Sequence, residues 1–236
     1  MSIELFRAAD RGHADYGWLN TFHHFNFANY FNPLRERFGL LRVLNDDTIA
    51  GGTGFEEHPH ANMEIVSIPL QGALKHSDSM GNSTVIRAGE IQIMSAGTGI
   101  RHSEFNDLAD APTKFLQIWI FPKQKNIVPR YDQRKFASPP PPNVFQTYMS
   151  PDKNSDTIWI NQDAWLARAA VSAQSEIVYK RKLETNGIFI FVISGEVTVT
   201  GNILKARDAI GVSETAEITV KAAADSDLLL IDIPMS

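Results

Sequence analysis

Short runs of apolar residues recur along the chain at close intervals, separated by clusters of turn-forming residues. The runs are rich in Val, Ile and Phe, and Gly, Asn, Asp, Ser or Pro stand at their ends. The clearest runs are residues 63–70, 85–94, 115–121, 188–193, 197–200 and 228–233. Several short strands at regular spacing indicate a sandwich or barrel. The pattern therefore predicts an all-β protein with few short helices, one of them a helical turn within residues 32–38.

A proline-rich segment divides the chain. Residues 137–143 contain four consecutive prolines, which cannot join a sheet ladder and favour an extended conformation. We therefore predict an N-terminal barrel at residues 1–136, a linker at residues 137–143 and a C-terminal barrel at residues 144–236.

The two predicted units look like copies of one β pattern. In each, an apolar strand ends in a glycine, Gly72 or Gly195, and leads through a hairpin and a charged turn to a second apolar strand. The order of these features is the same, although few residues are identical. We interpret this as internal duplication of one β unit, so two tandem antiparallel barrels are expected.

The charge balance and the absence of cysteine exclude several classes of protein. The net charge of −5 at pH 7 disfavours the basic surface that nucleic acid requires. There is no cysteine, so disulfides, thiolate metal sites and cysteine nucleophiles are excluded. The N-terminal residues lack the pattern of a secretion signal, and no apolar stretch approaches the ~18 residues of a membrane span. We expect a cytoplasmic protein without direct contact with nucleic acid or membrane.

Two short motifs carry metal-ligand residue types at a spacing of two. His58 and His60 flank Pro59, and His102 stands two positions before Glu104. Residues i and i+2 of a strand point to the same face, so each motif presents two ligands to one side of a sheet. If the two strands face each other inside a barrel, three imidazoles and one carboxylate surround one point. This donor set suits divalent iron, copper, nickel, zinc or manganese, while Pro59 favours an edge strand or a strand start.

Four further residues have ligand-type side chains in less specific surroundings. Glu64 has the strand parity of His60, and its alternative roles are a fifth ligand, a partner to a ligand, a proton acceptor or a salt-bridged barrel carboxylate. His76 is expected to line a hairpin or to hydrogen-bond there. His23 and His24 lie among aromatic residues, where partly buried structural histidines are the ordinary outcome.

The second half of the chain lacks these ligand types. No histidine follows His102. Counted back from Gly195, the positions that correspond to the two histidines of the first motif are Arg181 and Leu183. Neither residue type is a ligand in sites of this kind. The C-terminal barrel is therefore predicted to lack an equivalent metal centre.

The two motifs belong to a longer series of similar segments, residues 58–65, Gly72, 75–82 and 93–104. In this order, the segments resemble the pirin family of the cupin superfamily. The bacterial pirin-like proteins are the most similar members. The resemblance implies a bicupin fold of two jelly-roll barrels, with a metal in the N-terminal barrel alone. The family's three histidines and one glutamate fall on His58, His60, His102 and Glu104.

The resemblance also implies an activity. Bacterial pirin-like proteins are linked to quercetin 2,3-dioxygenase activity, in which O2 opens the heterocycle of a flavonol with loss of carbon monoxide. The expected partners are a flat aromatic small molecule and O2, and the expected cofactor is one divalent transition metal, iron first. Glu104 is the expected base for the 3-hydroxyl, since a carboxylate beside the metal is within reach of that proton. The aromatic residues that would line the cavity are Phe22, Phe25, Phe27, Phe55 and Trp119.

Two other functions are compatible with the same site. Eukaryotic pirins suggest a metal-binding, redox-sensing regulatory protein that acts through a protein partner. A third alternative is a metal-binding regulator of a metabolic enzyme. Turnover of a flavonol separates the dioxygenase from both alternatives. A monomer is expected, since two barrels in one chain satisfy the pairing that cupins usually make between subunits.

Overall fold

The computed structural model describes residues 1–236 and is built almost entirely from β-strands. The strands of the N-terminal half are β1 (Ser2–Phe6), β2 (Gly12–Asp15), β3 (Leu19–His23), β4 (Leu41–Ile49), β5 (Gly54–His60), β6 (Glu64–Gln71), β7 (Ala73–Asp78), β8 (Ser83–Arg87), β9 (Glu90–Ser95), β10 (Ile100–Asn106), β11 (Thr113–Ile120) and β12 (Arg130–Lys135). Those of the C-terminal half are β13 (Gln146–Ser150), β14 (Ile158–Trp159), β15 (Trp165–Val171), β16 (Glu176–Lys180), β17 (Asn186–Ser194), β18 (Glu196–Val199), β19 (Asn202–Lys205), β20 (Ala209–Ser213), β21 (Glu217–Ala222) and β22 (Ser226–Pro234).

Helical structure is confined to one 3-10 turn, Ala8–Asp10, and the helical turn predicted within residues 32–38 was wrong. The side chain of Asn32 accepts a hydrogen bond from the backbone N–H of Leu34, and its carbonyl accepts one from Arg35. This local hydrogen bonding closes a single turn, as asparagine commonly does. No helix of the structure has the length and apolar character needed to cross a membrane.

The strands form four sheets, a large one and a small one in each half. In the N-terminal half the orders are β12-β9-β6-β11-β4-β3-β2 and β5-β10-β7-β8. In the C-terminal half they are β1-β20-β17-β22-β15-β13-β14 and β16-β21-β18-β19. All neighbouring strands pair antiparallel except β13 and β14. The predicted all-β fold of two tandem units is confirmed.

The two small sheets share one connection pattern. In each, the first strand lies beside the last, followed by the second and third in chain order.

Strand β1 departs from the predicted division of the chain, because it pairs with β20 in the C-terminal large sheet. Residues 137–143 lie outside the strands, with an isolated bridge between Pro142 and Ala170. The boundaries at residues 137 and 143 stay a prediction.

Hydrophobic side chains are distributed unequally between the halves. The largest cluster has 25 buried residues and includes members of β4, β6, β11, β17 and β22, so it joins the two large sheets back to back. A second cluster of 17 residues fills the space between the large and small sheets of the C-terminal half. The N-terminal half has two clusters of five and four residues instead. Its interior is therefore left open for polar side chains and a cavity.

Candidate metal centre

The two histidine motifs lie on neighbouring strands of the small N-terminal sheet. Strands β5 and β10 pair antiparallel, with His58 opposite His102 and His60 opposite Ile100. The expectation that these strands face each other across a barrel was wrong, because they hydrogen-bond side by side. Adjacent strands are ~5 Å apart, which still brings the histidines together. Strand β5 is an edge strand, in agreement with the expectation from Pro59.

The three histidines form one compact group. The ring centroids of His58 and His60 are 4.8 Å apart, those of His58 and His102 4.5 Å, and those of His60 and His102 5.0 Å. Their ligand nitrogens lie within 4.8 Å of one another. This spacing is suited to three ligands around one ion. The structure thus brings together three of the four site residues predicted from the sequence, the histidines, in one group.

The ring nitrogens of these histidines are available to a metal. The Nδ1 of His58 lies 2.8 Å from the backbone carbonyl of Glu56, which fixes a tautomer whose Nε2 is free. Both ring nitrogens of His102 are buried without a hydrogen-bond partner. Burial, together with neighbouring histidines, lowers the pKa values of His60 and His102 to about 4. Neutral imidazoles are the form that binds metals.

Glu104 is buried beside His102 in a set of neutral donors. The hydroxyl of Ser67 and the amide of Gln92 donate to Oε1, each at 2.7 Å, and the amide of Gln117 donates to Oε2 at 2.6 Å. Burial alone would raise the pKa of Glu104, but His102, His76 and the hydrogen bonds from Ser67 and Gln117 outweigh it and lower the pKa. The carboxylate is therefore held in its ionised form, in a fixed orientation.

His76 lies closer to this group than the sequence suggested. It pairs with Glu104 across β7 and β10, and the ligand atoms of His76, His102 and Glu104 lie within 4.8 Å of one another. Its Nε2 is 3.0 Å from Asp78 Oδ2, and its ring stacks on Tyr131. The hydrogen bond expected for His76 is present, but the residue is buried beside the predicted ligands. The spacing of two between His76 and Asp78, the same as in the other two motifs, was the signal missed in the sequence.

Glu64 lies away from the histidine group. Its Oε2 accepts hydrogen bonds from the hydroxyl of Ser95 at 2.7 Å and from the backbone N–H of Asn161, in the other half, at 3.2 Å. It forms no salt bridge within 4.0 Å, although Arg130 is near enough to influence it. Burial raises the pKa of Glu64 to about 7. Of its alternative roles, neither the fifth ligand nor the salt-bridged carboxylate matches this position.

The two aromatic-flanked histidines have different surroundings. His24 is a structural histidine, fully buried with its ring edge-on to Phe191 at 5.2 Å. His23 is buried too, but it lines a cavity together with His58 and His60. His24 lies outside the cavity, as the structural interpretation requires, although neither of its ring nitrogens has a hydrogen-bond partner.

A cavity of about 900 Å³ reaches the histidine group. Of the aromatic residues expected to line it, Phe27, Phe55 and Trp119 do so. Phe25 belongs to the core between the large sheets, and Phe22 stacks on His13. The ring of Trp119 meets that of His60 edge-on at 5.0 Å. The cavity thus combines aromatic walls with the histidines at one end, and it is large enough for a drug-sized ligand.

Comparisons with known proteins agree with this architecture. A family model described as Pirin matches residues 5–120, and one described as Quercetinase C-terminal cupin domain matches residues 147–233. The chain is 42% identical to the quercetin 2,3-dioxygenase of Escherichia coli K12 over 98% of this chain and 99% of that protein. It is 40% identical to a pirin-like protein of Caulobacter vibrioides over 94% of this chain and 95% of the relative.

A solved structure gives the same result for the fold. The crystal structure of the bacterial pirin YhhW from Escherichia coli in complex with nickel(II) superposes with a TM-score of 0.94, at 41% identity, and covers 100% of both chains. The bicupin fold implied by the sequence is therefore confirmed. The chain belongs to the pirin family.

Proposed function

We propose that this protein is a metal-dependent dioxygenase that cleaves a quercetin-like flavonol with O2 and releases carbon monoxide. The observation that carries the proposal is the cluster of His58, His60 and His102 at one end of an aromatic-walled cavity of about 900 Å³. The names of the relatives add support, since the first of them is a quercetin 2,3-dioxygenase. A flat aromatic ligand and O2 are the partners that follow from this reaction.

The proposed metal ligands are His58, His60, His102 and Glu104. The residues fit a divalent transition metal, because the buried nitrogens of His102 have no other partner and the carboxylate of Glu104 is ionised. The donor set suits several such metals. Iron stays our prediction, with nickel favoured among the alternatives by the YhhW complex. Copper, zinc and manganese complete the set that metal analysis would distinguish.

The chain's own residues have three tasks in this reaction. The rings of Phe27, Phe55 and Trp119 enclose a flat substrate, and the histidines hold the metal in place. A bound divalent metal supplies Lewis acidity and a template for substrate and O2. Glu104 has about four acceptor positions, of which three are used by protein donors. The remaining position is the one at which Glu104 would ligate the metal or take the proton of the 3-hydroxyl.

The experiment that tests the proposal is incubation of metal-quantified protein with quercetin, with and without O2. We expect loss of flavonol absorbance that requires O2 and releases one carbon monoxide per flavonol consumed. His58→Ala and Glu104→Ala should abolish both signals, since each removes a proposed ligand. His13→Ala is the matched control, because His13 stacks on Phe22 outside the centre, and it should retain activity.

Protein with stoichiometric metal but no turnover of quercetin would contradict the enzyme proposal for this substrate. A metal-dependent complex with another protein would then favour a redox-sensing regulatory protein. Activity that survives in both ligand variants would contradict the assignment of the site rather than the reaction.

A further inference from the structure

A row of polar side chains crosses the large N-terminal sheet on the face that lines the interior. Strand pairing aligns the row directly: His23 lies opposite Asn45, Asn45 opposite Gln117, Gln117 opposite Ser67 and Ser67 opposite Gln92. All five side chains are buried. The row therefore needs an explanation, since burying polar groups is unfavourable unless they are hydrogen-bonded.

One end of the row has a clear task. Gln92, Ser67 and Gln117 donate the three hydrogen bonds that hold Glu104. These residues position a proposed metal ligand, which accounts for their polar groups except the unpaired Oε1 of Gln92. The opposite end of the row makes no contact of this kind.

That opposite end is rich in unsatisfied polar atoms. His23, Asn45 and the neighbouring Asp47 are each 3% exposed and line the cavity. The Nδ1 of His23, the Oδ1 of Asn45 and the Oδ1 of Asp47 have no hydrogen-bond partner. Unpaired buried polar atoms are rare in folded proteins, and each calls for a ligand, an ordered water or a catalytic role. Three of them on two adjacent strands at one cavity wall point to a ligand.

We propose that His23, Asn45 and Asp47 form a hydroxyl-binding subsite, which selects polyhydroxylated aromatic molecules. The inference rests on the proposed function and adds the residues that would select hydroxylated over unsubstituted flavonols. Two of the three unpaired atoms are carbonyl or carboxylate oxygens, which accept hydrogen bonds, so the matching groups on the ligand are donors such as phenolic hydroxyls. The hydroxyls bound here belong to parts of the ligand remote from the metal.

The spacing of the strands supports a ligand of more than one ring. Gln117 contacts Glu104, Asn45 lies one strand further, and His23 lies one strand beyond that. Neighbouring strands are ~5 Å apart, so the subsite extends about 5–10 Å from Gln117 along the wall. A single ring would fill one end of the cavity and leave the other unsatisfied.

The charges at the subsite agree with a neutral ligand. Burial raises the pKa of Asp47 to about 7, while burial lowers the pKa of His23 to about 4. Asp47 has no basic partner within 4.0 Å, and His23 is uncharged at neutral pH. The subsite therefore has no positive charge to offer an anionic substituent, and Asp47 would repel one.

The test compares two flavonols, quercetin and 3-hydroxyflavone. Both carry the 3-hydroxyl and the neighbouring carbonyl, but 3-hydroxyflavone lacks the hydroxyls on the outer rings. Dissociation constants are measured for nickel-loaded protein without O2, from the change in flavonol absorption. The unmodified protein is expected to bind quercetin more tightly. A site built to hydrogen-bond hydroxyl groups rejects the analogue that lacks them, because its own polar atoms stay unpaired.

Variants separate the subsite from the rest of the cavity. Asn45→Leu and Asp47→Leu are each expected to weaken quercetin binding roughly 5- to 30-fold and to leave the binding of 3-hydroxyflavone unchanged. Thr48→Val is the matched control, since Thr48 follows Asp47 on β4 and points to the opposite face of the sheet. Metal content and circular dichroism are compared across all variants.

The outcomes distinguish the two proposals. If the unmodified protein binds both flavonols equally, or the variants weaken both equally, the subsite is wrong and the metal-centred function stands. If the unmodified protein binds neither flavonol, the proposed function fails and the subsite fails with it. If both leucine variants fail to fold, equal binding of the two flavonols by the unmodified protein still contradicts the subsite.

Discussion

At the scale of single residues, the notable group is a buried glutamate without a cation within salt-bridge distance. Glu104 takes hydrogen bonds from a serine and two glutamines. Neutral donors orient a carboxylate and leave its negative charge in place, whereas a lysine or arginine would neutralise that charge. The residual negative charge is then available to a metal ion among the histidines. Groups that orient ligands in this way commonly change metal affinity 10- to 100-fold when removed.

We therefore expect Gln117→Leu to weaken metal binding by about 10- to 100-fold. The substitution removes the donor to Oε2 and leaves that oxygen free to rotate away from the ion. Affinity is measured by competition with a chelator at fixed pH. Leucine has a similar volume, so the fold and the three histidines should persist.

Gln133→Leu is the matched control for this prediction. Gln133 is a strand glutamine of the same half whose amide donates to Val85 and Glu90 rather than to the centre. The Gln133→Leu variant should bind metal as tightly as the unmodified protein. If Gln117→Leu also bound metal that tightly, the hydrogen bond to Glu104 would not contribute to metal affinity.

At the scale of elements, the sequence predicted which side chains share a face of a strand, but it did not predict which strands pair with each other. The spacing of two correctly put His58 and His60 on one face of β5. That β5 pairs with β10 depends on a connection of some 40 residues, which local periodicity does not encode. The same limit hid His76, whose importance comes from its place opposite Glu104. The alignment of the row from His23 to Gln92 across neighbouring strands could not be predicted for the same reason.

The pairing of β5 with β10 also contains an irregularity that sets the site. Glu56 and Glu57 of β5 lie opposite the single residue Ser103 of β10. Such a bulge bends the strand and re-aims side chains near functional sites. It places the carbonyl of Glu56 against the ring of His58. No sequence signal marks this position, because glutamate is not a typical bulge residue.

Gly54 holds these two strands at close range, and Gly54→Ala should separate them. A Cβ at this position would lie 2.3 Å from the carbonyl oxygen of Glu104 and 2.4 Å from the Cα of Phe105. Backbone atoms cannot move aside as a flexible side chain can, so we expect a loss on the order of 3 kcal/mol in stability. Urea unfolding measures the loss, and metal titration should show weaker binding as β5 shifts.

Gly17→Ala provides the comparison. Gly17 has a φ of +80° with no atom near its Cβ position, so alanine there introduces backbone strain alone, about 1 kcal/mol. Metal affinity should be unchanged. If Gly54→Ala lost no more stability than Gly17→Ala, the close approach of β5 to β10 would not constrain the site.

At the scale of the whole molecule, two units of similar topology have opposite interiors. The C-terminal unit is filled by 17 apolar residues, whereas the N-terminal unit contains the polar row and the cavity. The apolar strands of the second half and its lack of histidine after His102 made this contrast readable from the sequence. The pairing of β1 with β20 in the C-terminal large sheet could not be predicted, because Ser2–Phe6 has the sequence pattern of an ordinary strand. The large sheets cover each other within one chain, so a monomer stays our prediction.

The contact between the halves contains a titrating group, Glu64, which predicts how stability depends on pH. Burial raises its pKa from 4.5 to about 7 in the folded protein. Between these two values the folded state holds more protons than the unfolded state, so stability falls as pH rises through this window and levels off above pH 7. The total loss is roughly 3 kcal/mol. Glu64→Gln cannot titrate, and we expect it to lose less stability than the unmodified protein between pH 5 and pH 8, by about that amount.

Urea unfolding at pH 5 and pH 8 measures the loss of stability between these pH values for both proteins. The other titrating groups contribute equally to both losses, so subtracting one loss from the other leaves the contribution of Glu64. Glu217→Gln, at an exposed position of β21, should behave like the unmodified protein. Equal losses in Glu64→Gln and the unmodified protein would mean that the carboxyl of Glu64 ionises without penalty, which requires water to reach it between the halves. The test therefore measures how tightly the two large sheets close around the backbone N–H of Asn161 that Glu64 binds.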